Sequence, residues 1–392
     1  MLTRLKNRLN KTLLLSISFC LSLCYSARAN DGGFDEHVFI DSASFVLVAE
    51  SQSSLASMFG HSFLKLEGRN KKHGLSYYNS VNSSILSYLN VIIGNSDGIY
   101  VLMPYDEMKH SYVQKEKRSL WEFRLKLSEQ EREQLKALIK QLQGKVDKYN
   151  FFYNNCNSQI EALLASVNEN FKYNALKGVK TPLEYAKYLT HANLVEEIVY
   201  IPSKKTSSLS KIYEYPAVTR FSTGYGRKGM VFNFYPIYHD KSQTINFERE
   251  VDSKIFGLNL LLDKKSNLHI ENFDIFQLTA YDTITTSIDL GIEDNLRFKL
   301  GLGTSCKFDT LLLYAIPHMG LRHEKAFASM KVGATLKLLS IMSAQFEYEK
   351  GSDYDSVLAG MTFQLKENLE MQANYLHKKN RSNFLVSFGV YF

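Results

Sequence analysis

The sequence has few cysteines and, past its first residues, no long apolar run. Of the 4 cysteines in 392 residues, Cys20 and Cys24 lie in an N-terminal leader, which leaves Cys156 and Cys306. Two cysteines are too few for a disulfide-stapled scaffold, so that class is excluded. Beyond residue 29 no run reaches the ~18 apolar residues that a membrane-spanning helix needs, which excludes a helical membrane protein.

The sequence also has little net charge once its first residues are set aside. Lys and Arg total 47 against 40 Asp and Glu, but five of the basic residues precede residue 30 and leave 42 against 40. A nucleic-acid binder held by a basic surface needs an excess of Lys and Arg, so that class is excluded. A hydrophobic content of 45%, with 13% aromatic residues, is enough to bury a core, which excludes a disordered chain.

The first 29 residues predict an export signal. Basic residues up to Lys11 precede an apolar run over residues 13–23 and a cluster of small residues, the pattern of a secretory leader cleaved before Asn30. Cys20 and Cys24 each follow a bulky residue where lipidation requires a small one, so we expect no lipid anchor at either. The mature chain is therefore predicted to work outside the cytoplasm.

Residues 30–214 mix the patterns of strands and helices. Apolar residues and two-residue alternation predict strands at residues 38–48 and 121–127. Ser128 and Thr181 each begin a capping box, so each predicts the start of a helix. This first domain is predicted to be α+β.

Residues 215–392 follow a two-residue alternation over most of their length. Apolar side chains alternate with polar or small ones in segments of roughly nine to eleven residues, the length of a strand that crosses a bilayer. We expect about twelve antiparallel strands that form an outer-membrane β-barrel; a soluble β-sandwich with one solvated face is the alternative. Two such segments have as their apolar positions Leu296, Phe298, Leu300 and Leu302, and Val357, Ala359, Met361, Phe363 and Leu365.

The last predicted strand favours the barrel. It alternates from Phe384 to Phe392 and finishes on that aromatic residue, which resembles the sorting signal of Gram-negative outer-membrane barrels. The many Tyr and Phe residues of this half would form aromatic girdles at the two membrane interfaces. The sequence therefore predicts a protein surrounded by outer-membrane lipid, with its α+β domain in the periplasm.

Cys156 is a candidate nucleophile. Asn155 is a good N-cap, and Ile160 and Leu164 follow at helical spacing, so Cys156 is predicted to begin a helix. The unpaired amides and the dipole of a helix N-terminus favour a thiolate, which lowers the pKa of the thiol. The same amides can hold the oxyanion that forms when the sulfur attacks a carbonyl.

His61 is the candidate base for this nucleophile. It opens a predicted strand in which His61, Phe63 and Lys65 share one face. A histidine at the start of a strand, opposite a cysteine at the start of a helix, is the Cys/His arrangement of papain-like enzymes, here in permuted order because the histidine comes first. Each residue alone also fits an ordinary core position.

The two motifs together resemble a known family. F-G-H-S-F-L-K-L around His61, followed by Y-N-F-F-Y-N-N-C-N-S-Q around Cys156, is similar to the Lnb N-terminal periplasmic domain family, which is named after a bacterial lipoprotein N-acyltransferase. The resemblance covers about residues 36–200 and implies a permuted NlpC-type papain fold. It also implies Cys156 as nucleophile and His61 as base.

The third catalytic residue and the oxyanion groups have several candidates. His73 and Asn79 lie on or just before a strand predicted at residues 75–80 and are candidates for orienting the base, although His73 also fits an exposed turn. Asparagines near the thiol are candidates for polarising a substrate carbonyl, and capping or turn formation is an equally ordinary role for them. These are Asn154, Asn155 and Asn157.

Other kinds of site find no support in the sequence. The histidines lack metal-ligand spacing, and no glycine-rich phosphate loop follows a predicted strand, so we expect neither a metal site nor a cofactor. Cys306 is interpreted as a spare thiol at the end of a predicted strand. A disulfide between Cys306 and Cys156 would disarm the nucleophile.

The family resemblance implies acyl transfer in two steps through a thioester on Cys156. The donor would be a phospholipid ester and the acceptor an amine such as a lipoprotein N-terminus, while water as acceptor would make the enzyme a lipid acyl hydrolase. Two other functions stay open. One is a cell-wall peptidase or amidase of the NlpC type; the other is a barrel transporter or assembly protein with a catalytically silent periplasmic domain.

Overall fold

The structure is a computed structural model in which the chain forms two compact units, Met1–Tyr213 and Glu214–Phe392. The predicted leader, residues 1–29, lies outside the described residues. The structure describes residues 39–50, 60–79, 94–142, 144–173, 181–203, 218–243, 251–281, 283–293, 295–322, 325–352, 354–378 and 381–392.

The first unit is built on one antiparallel sheet, in which seven strands are described. Their order across the sheet is β6-β4-β3-β2-β1-β5-β7, so the chain builds outward from a central β1–β2 pair. The strands predicted at residues 38–48 and 121–127 are β1, which begins later than predicted, and β5, which begins one residue earlier and ends two residues earlier than predicted. The strands are β1 Ser42–Val48, β2 His61–Gly68, β3 Lys71–Asn79, β4 Ser96–Pro104, β5 Leu120–Leu125, β6 Val146–Tyr149 and β7 Val195–Ile201.

Helices cover this sheet, and the predicted caps begin two of them. Ser128 and Thr181 each accept a hydrogen bond from the backbone N–H three residues on, which completes the capping boxes. Within the described parts of the chain, no helix is long and apolar enough to cross a membrane. The helices are α1 Tyr105–His110, extended by a π-helical turn at Ser111–Lys115, α2 Glu129–Gln141, α3 Cys156–Ala165 and α4 Pro182–His191.

The strand register separates the two faces of the sheet. On one face Val46 and Phe63 pack with Tyr105 and Met108 of α1. On the other face Phe45 meets the ring of Tyr185 in α4 at 5.1 Å, and α3 packs against β2 and β3. Side chains that are buried to this degree contribute about 1.5–3 kcal/mol each, so both faces stabilise the sheet. The unit belongs to the predicted α+β class, while its papain-like detail stays a prediction.

The second unit is a closed antiparallel barrel. Strand β20 pairs with β8, and β9 pairs with β11, which joins the two ends of the sheet. Because β9 and the short β10 both pair with β11, they share one place in the ring, and the described strands occupy twelve places. The predicted count of about twelve is confirmed, and a soluble β-sandwich is excluded because one sheet closes on itself.

Most strands of the second unit are longer than those of the first. The strands of this unit are β8 Arg220–Gly226, β9 Gly229–Tyr235, β10 Ile237–His239, β11 Val251–Asp263, β12 Leu268–Ala280, β13 Thr285–Glu293, β14 Asn295–Lys307, β15 Leu311–Arg322, β16 Lys325–Leu339, β17 Met342–Gly351, β18 Asp355–Lys366, β19 Leu369–Lys378 and β20 Arg381–Tyr391.

The barrel has an apolar outer face and a polar interior. On β14, Leu296 and Leu302 are more than half exposed, whereas Arg297 between them is buried and paired with Asp274 at 2.9 Å. Phe346 and Phe384, on two other strands, are also exposed to at least half of their surface. A soluble protein rarely exposes so much contiguous apolar surface, but a barrel in a lipid bilayer requires it.

Candidate active site

Cys156 is the first residue of α3, as predicted. Asn155 is the N-cap: its side chain accepts a hydrogen bond from the Ser158 N–H at 2.9 Å, and the Ser158 hydroxyl accepts one from the Asn155 N–H at 2.8 Å. This capping box fixes the direction in which α3 leaves the preceding turn. The thiol is thereby held at the helix N-terminus, in a buried position.

Two residues that the motifs alone do not identify lie close to the thiol. The backbone N–H and hydroxyl of Ser62 face the Cys156 sulfur and favour its thiolate form. The Tyr149 hydroxyl lies against both the N–H and the sulfur of Cys156. The signal for Ser62 was present in the alternation of the strand, which puts Ser62 on the face opposite His61.

Burial raises the pKa of the Cys156 thiol above its ordinary value, which is opposite to the predicted effect of the helix N-terminus. The Ser62 groups and the Asn157 N–H act in the lowering direction, but loss of water around the sulfur outweighs them. The thiol is therefore protonated at neutral pH in the resting structure. Any attack by this sulfur requires a base to take its proton.

His61 opens β2, and its ring lies on the face that α1 covers. Its Nε2 is 2.9 Å from the Ser76 hydroxyl, and the ring stacks on Tyr78 with centroids 5.1 Å apart. Burial, together with the positive charge of Arg118, lowers the pKa of His61 to about 3. The imidazole is therefore neutral across the physiological range, the form in which it can accept a proton.

The structure brings the backbones of the two predicted residues together but directs their side chains apart. Ser62, which touches the thiol, is the next residue after His61, so Cys156 lies beside the start of β2. Successive side chains on a strand point to opposite faces, so the His61 ring and the Cys156 thiol are on different sides of the sheet. Among the described contacts, the partner of His61 Nε2 is Ser76.

The two candidates for the orienting residue, His73 and Asn79, lie on the sheet face opposite the His61 ring. His73 lies inside β3, half-buried and opposite Leu66, rather than in an exposed turn. His73 shares the sheet face of Ser62. Tyr78, which stacks on the His61 ring, lies five residues further along β3, about 16 Å away at strand spacing, so His73 is far from the base. Asn79 ends β3 at the edge where β2 begins. Ser76, which was not a candidate, occupies the position beside the base.

The three asparagines near the thiol have different surroundings. Asn155 serves as the N-cap described above, and Asn154 donates to the Lys148 carbonyl at 2.5 Å and accepts from the Gln159 amide. Asn157 is fully buried, and among the described residues neither its Nδ2 nor its Oδ1 has a hydrogen-bond partner. A buried amide without partners is costly, so Asn157 is the asparagine with capacity left for a ligand.

The first unit matches a family model. Residues 33–192 match the model described as the Lnb N-terminal periplasmic domain. The first unit therefore contains a region similar to that family. The family description and the closed barrel with its apolar outer face establish an outer-membrane protein whose Lnb N-terminal periplasmic domain lies in the periplasm.

Comparison with solved structures concerns mainly the barrel. A KdgM porin in complex with disordered oligogalacturonate has 10% identity and a TM-score of 0.33, over 44% of this chain and 98% of that chain. A NanC porin has 7% identity and a TM-score of 0.30 over the same shares of the two chains. The Acinetobacter baumannii protein Omp33 has 9% identity and a TM-score of 0.29, over 45% and 98%. Likeness at this level carries no information on function, and no curated protein matches the sequence.

Proposed function

We propose that the periplasmic domain is a cysteine-dependent acyltransferase or lipid acyl hydrolase that forms a thioester on Cys156. The observation that supports this most directly is the placement of the thiol. The thiol lies at the capped N-terminus of α3, close to the Ser62 N–H and the Tyr149 hydroxyl. Ser62 directly follows His61, whose imidazole is neutral. These are the components that nucleophilic attack on an ester or amide needs.

The resting charges of the pair determine how the proton moves. Because the Cys156 thiol is protonated and His61 is neutral, the reaction starts from a neutral pair rather than from a preformed ion pair. In this proposal, substrate binding changes the backbone at the start of β2, so that the His61 ring leaves Ser76 and reaches the thiol. His61 takes the thiol proton as the sulfur bonds to the acyl carbon, and then gives that proton to the departing alcohol. A thioester remains on Cys156.

The second half of the cycle releases the acyl group. An amine or water attacks the thioester carbon and loses a proton to His61, and the Cys156 sulfur leaves and regains that proton, so the enzyme returns to its first state. Negative charge develops on the carbonyl oxygen in both halves. The donors proposed to stabilise it are the N–H groups at the start of α3 and the Nδ2 of Asn157, which has no partner among the residues that the structure describes.

The proposed donor is a phospholipid acyl ester, because the attached barrel keeps this domain at a membrane surface. The acceptor would be an amine such as a lipoprotein N-terminus, in line with the family from which the domain takes its description. Water as acceptor would give a lipid acyl hydrolase. The chemistry on Cys156 is the same in both cases.

The test is to detect the acyl enzyme itself. Purified full-length protein in detergent is incubated with phospholipid and no amine, and the peptide that carries Cys156 is analysed by mass spectrometry. We expect a mass increase of one fatty acyl chain, because the thioester accumulates when its acceptor is missing. Cys156→Ala should carry no acyl group, and Cys306→Ala, which removes the other thiol, should be acylated like the unmodified protein.

Two other outcomes contradict the proposal. Cleavage of peptidoglycan fragments without lipid acylation would instead identify a cell-wall peptidase. Neither activity, in protein whose barrel is correctly folded, would indicate a catalytically silent domain.

A further inference from the structure

The interior of the barrel contains a segment of backbone that is not part of its wall. After β10 the chain leaves the sheet at residues 240–243, here called the inward segment. Each of its four residues is at most 8% exposed, including Lys241 at 4% and Gln243 at 0%. A lysine and an amide this deeply buried need partners, and the interior of the barrel supplies them.

Lys241 joins opposite sides of the ring. Its Nζ is 3.0 Å from an Asp252 carboxylate oxygen on β11 and 3.5 Å from a Glu347 oxygen on β17. Counted from β8, β11 holds the third place of twelve and β17 the ninth, so half of the circumference separates the two carboxylates. One ammonium group contacts both, which places it across the middle of the lumen.

The Lys241 ammonium also contacts two tyrosines. The ring of Tyr281 lies 4.5 Å and that of Tyr314 4.6 Å from Nζ, and the Tyr281 hydroxyl accepts a hydrogen bond from it. Tyr314 belongs to β15, a third side of the wall. A cation between two rings and two carboxylates is held from several directions and cannot move without losing all of these contacts.

The rest of the inward segment is tied to the wall as well. Gln243 donates to Glu370 on β19 at 3.2 Å and to the Tyr391 hydroxyl on β20, while the Ser242 carbonyl accepts from Ser343 on β17. Glu370 is in turn paired with Arg220 of β8 at 2.8 Å. The inward segment therefore contacts β17, β19 and β20 through these hydrogen bonds.

We propose that the inward segment is a built-in plug, and that the barrel is a closed membrane anchor rather than an ion-conducting pore. A ring of twelve strands lies between the eight-stranded barrels that side chains fill and the larger ones that hold an aqueous channel. Strand number alone does not decide the state of this lumen. The segment decides it, because its backbone and its Lys241 contacts cross the ring from wall to wall.

The proposal is tested by conductance of the purified full-length protein in planar lipid bilayers. The unmodified protein should show no current steps above the bare membrane. Lys241→Ala combined with Gln243→Ala removes the contacts that hold the segment and should produce steps, with a mean current at least tenfold above the unmodified protein. Lys264→Ala, which removes an exposed lysine in the β11–β12 turn, is the matched control and should stay silent.

A second variant keeps the test decisive if the double variant does not fold, as judged by heat-modifiable migration. Replacement of residues 240–243 by glycines removes every side chain of the plug beyond β10 while keeping the chain length. Current steps from the unmodified protein would overturn the proposal. Silence of a correctly folded plug variant would overturn it too, because something other than this segment would then close the lumen.

Discussion

At the scale of single residues, the chemistry of the candidate site depends on two opposed effects at one sulfur. The helix N-terminus and the Ser62 groups favour the thiolate, while burial disfavours it, and burial is the larger effect. The same loss of water keeps His61 neutral. A pair that is neutral at rest is protected from adventitious oxidation and alkylation, since the thiolate is the reactive form.

The raised pKa of Cys156 predicts slow alkylation at neutral pH. In a Cys306→Ala background, the rate of modification by iodoacetamide should rise with pH and reach its midpoint above the ordinary thiol value, because a raised pKa leaves less thiolate at every lower pH. Ser62→Ala removes a group that favours the thiolate and should move the midpoint further up. The measurement is the pH profile of the labelling rate.

The matched control for this profile is Ser166→Ala, a serine at the exposed far end of α3. It should leave the midpoint where it is. Fast labelling of Cys156 at pH 7, or a downward shift in the Ser62→Ala variant, would contradict the assignment of burial as the dominant effect.

At the scale of secondary-structure elements, the start of α3 positions the whole site. The Asn155 side chain satisfies the N–H of Ser158 and holds the first turn, so a cap mutation acts on stability and on the thiol at once. The chain also provides a specific reporter, because its single tryptophan, Trp121, is fully buried in β5 of the first unit.

Asn155→Ala is predicted to destabilise the periplasmic domain by about 1 kcal/mol, the usual cost of losing an N-cap. Asn155→Ser, which keeps a side-chain acceptor, should recover most of that loss. Both are measured by urea unfolding of the full-length protein in detergent, followed by Trp121 fluorescence. Equal stability of all three proteins would show that this cap does not hold the helix.

The elements that the sequence predicts best are those determined by residues close together in the chain. The caps at Ser128, Asn155 and Thr181 are confirmed because a capping box is decided within four residues. The barrel strands are confirmed because lipid on one side and a polar lumen on the other force alternation. Both patterns are visible without knowing what packs against what.

The parts that sequence could not predict depend on distant pairings. Alternation put His61 and Ser62 on opposite faces, but only the packing of α3 decides that Cys156 meets the Ser62 side. Lys71 and Lys72 resemble a turn in the sequence, which puts His73 before its predicted strand, whereas pairing with β2 extends β3 back through both lysines. The inward segment could not be predicted either, because the partners described above are spread over five strands, β11, β15, β17, β19 and β20.

At the scale of the whole molecule, we expect charged substitutions on the lipid-facing surface of the barrel to prevent outer-membrane assembly. Phe388 and Phe392 are each almost half exposed on the outer face at the end of the chain. Replacing both by Asp puts charge where the barrel meets lipid, which is costly, so outer-membrane assembly should fail. Replacing both by Leu keeps the surface apolar and should be tolerated.

Fractionation of cells that express the two variants checks this prediction. The Asp variant should be missing from the outer membrane, and the Leu variant should be recovered there in heat-modifiable form. Normal recovery of the Asp variant would contradict a lipid-facing position for these two residues.

The pairing of β20 with β8 has a consequence for the order of events during biogenesis. The barrel cannot close until β20, its last strand, has been exported and has paired with β8. Every described strand pairing of the periplasmic domain joins residues that are exported earlier and lie closer together in the chain. Formation of the thiol site therefore does not depend on closure of the barrel. A periplasmic domain that folds first would carry Cys156 in its buried, protonated form, which reacts slowly with oxidants and alkylating agents.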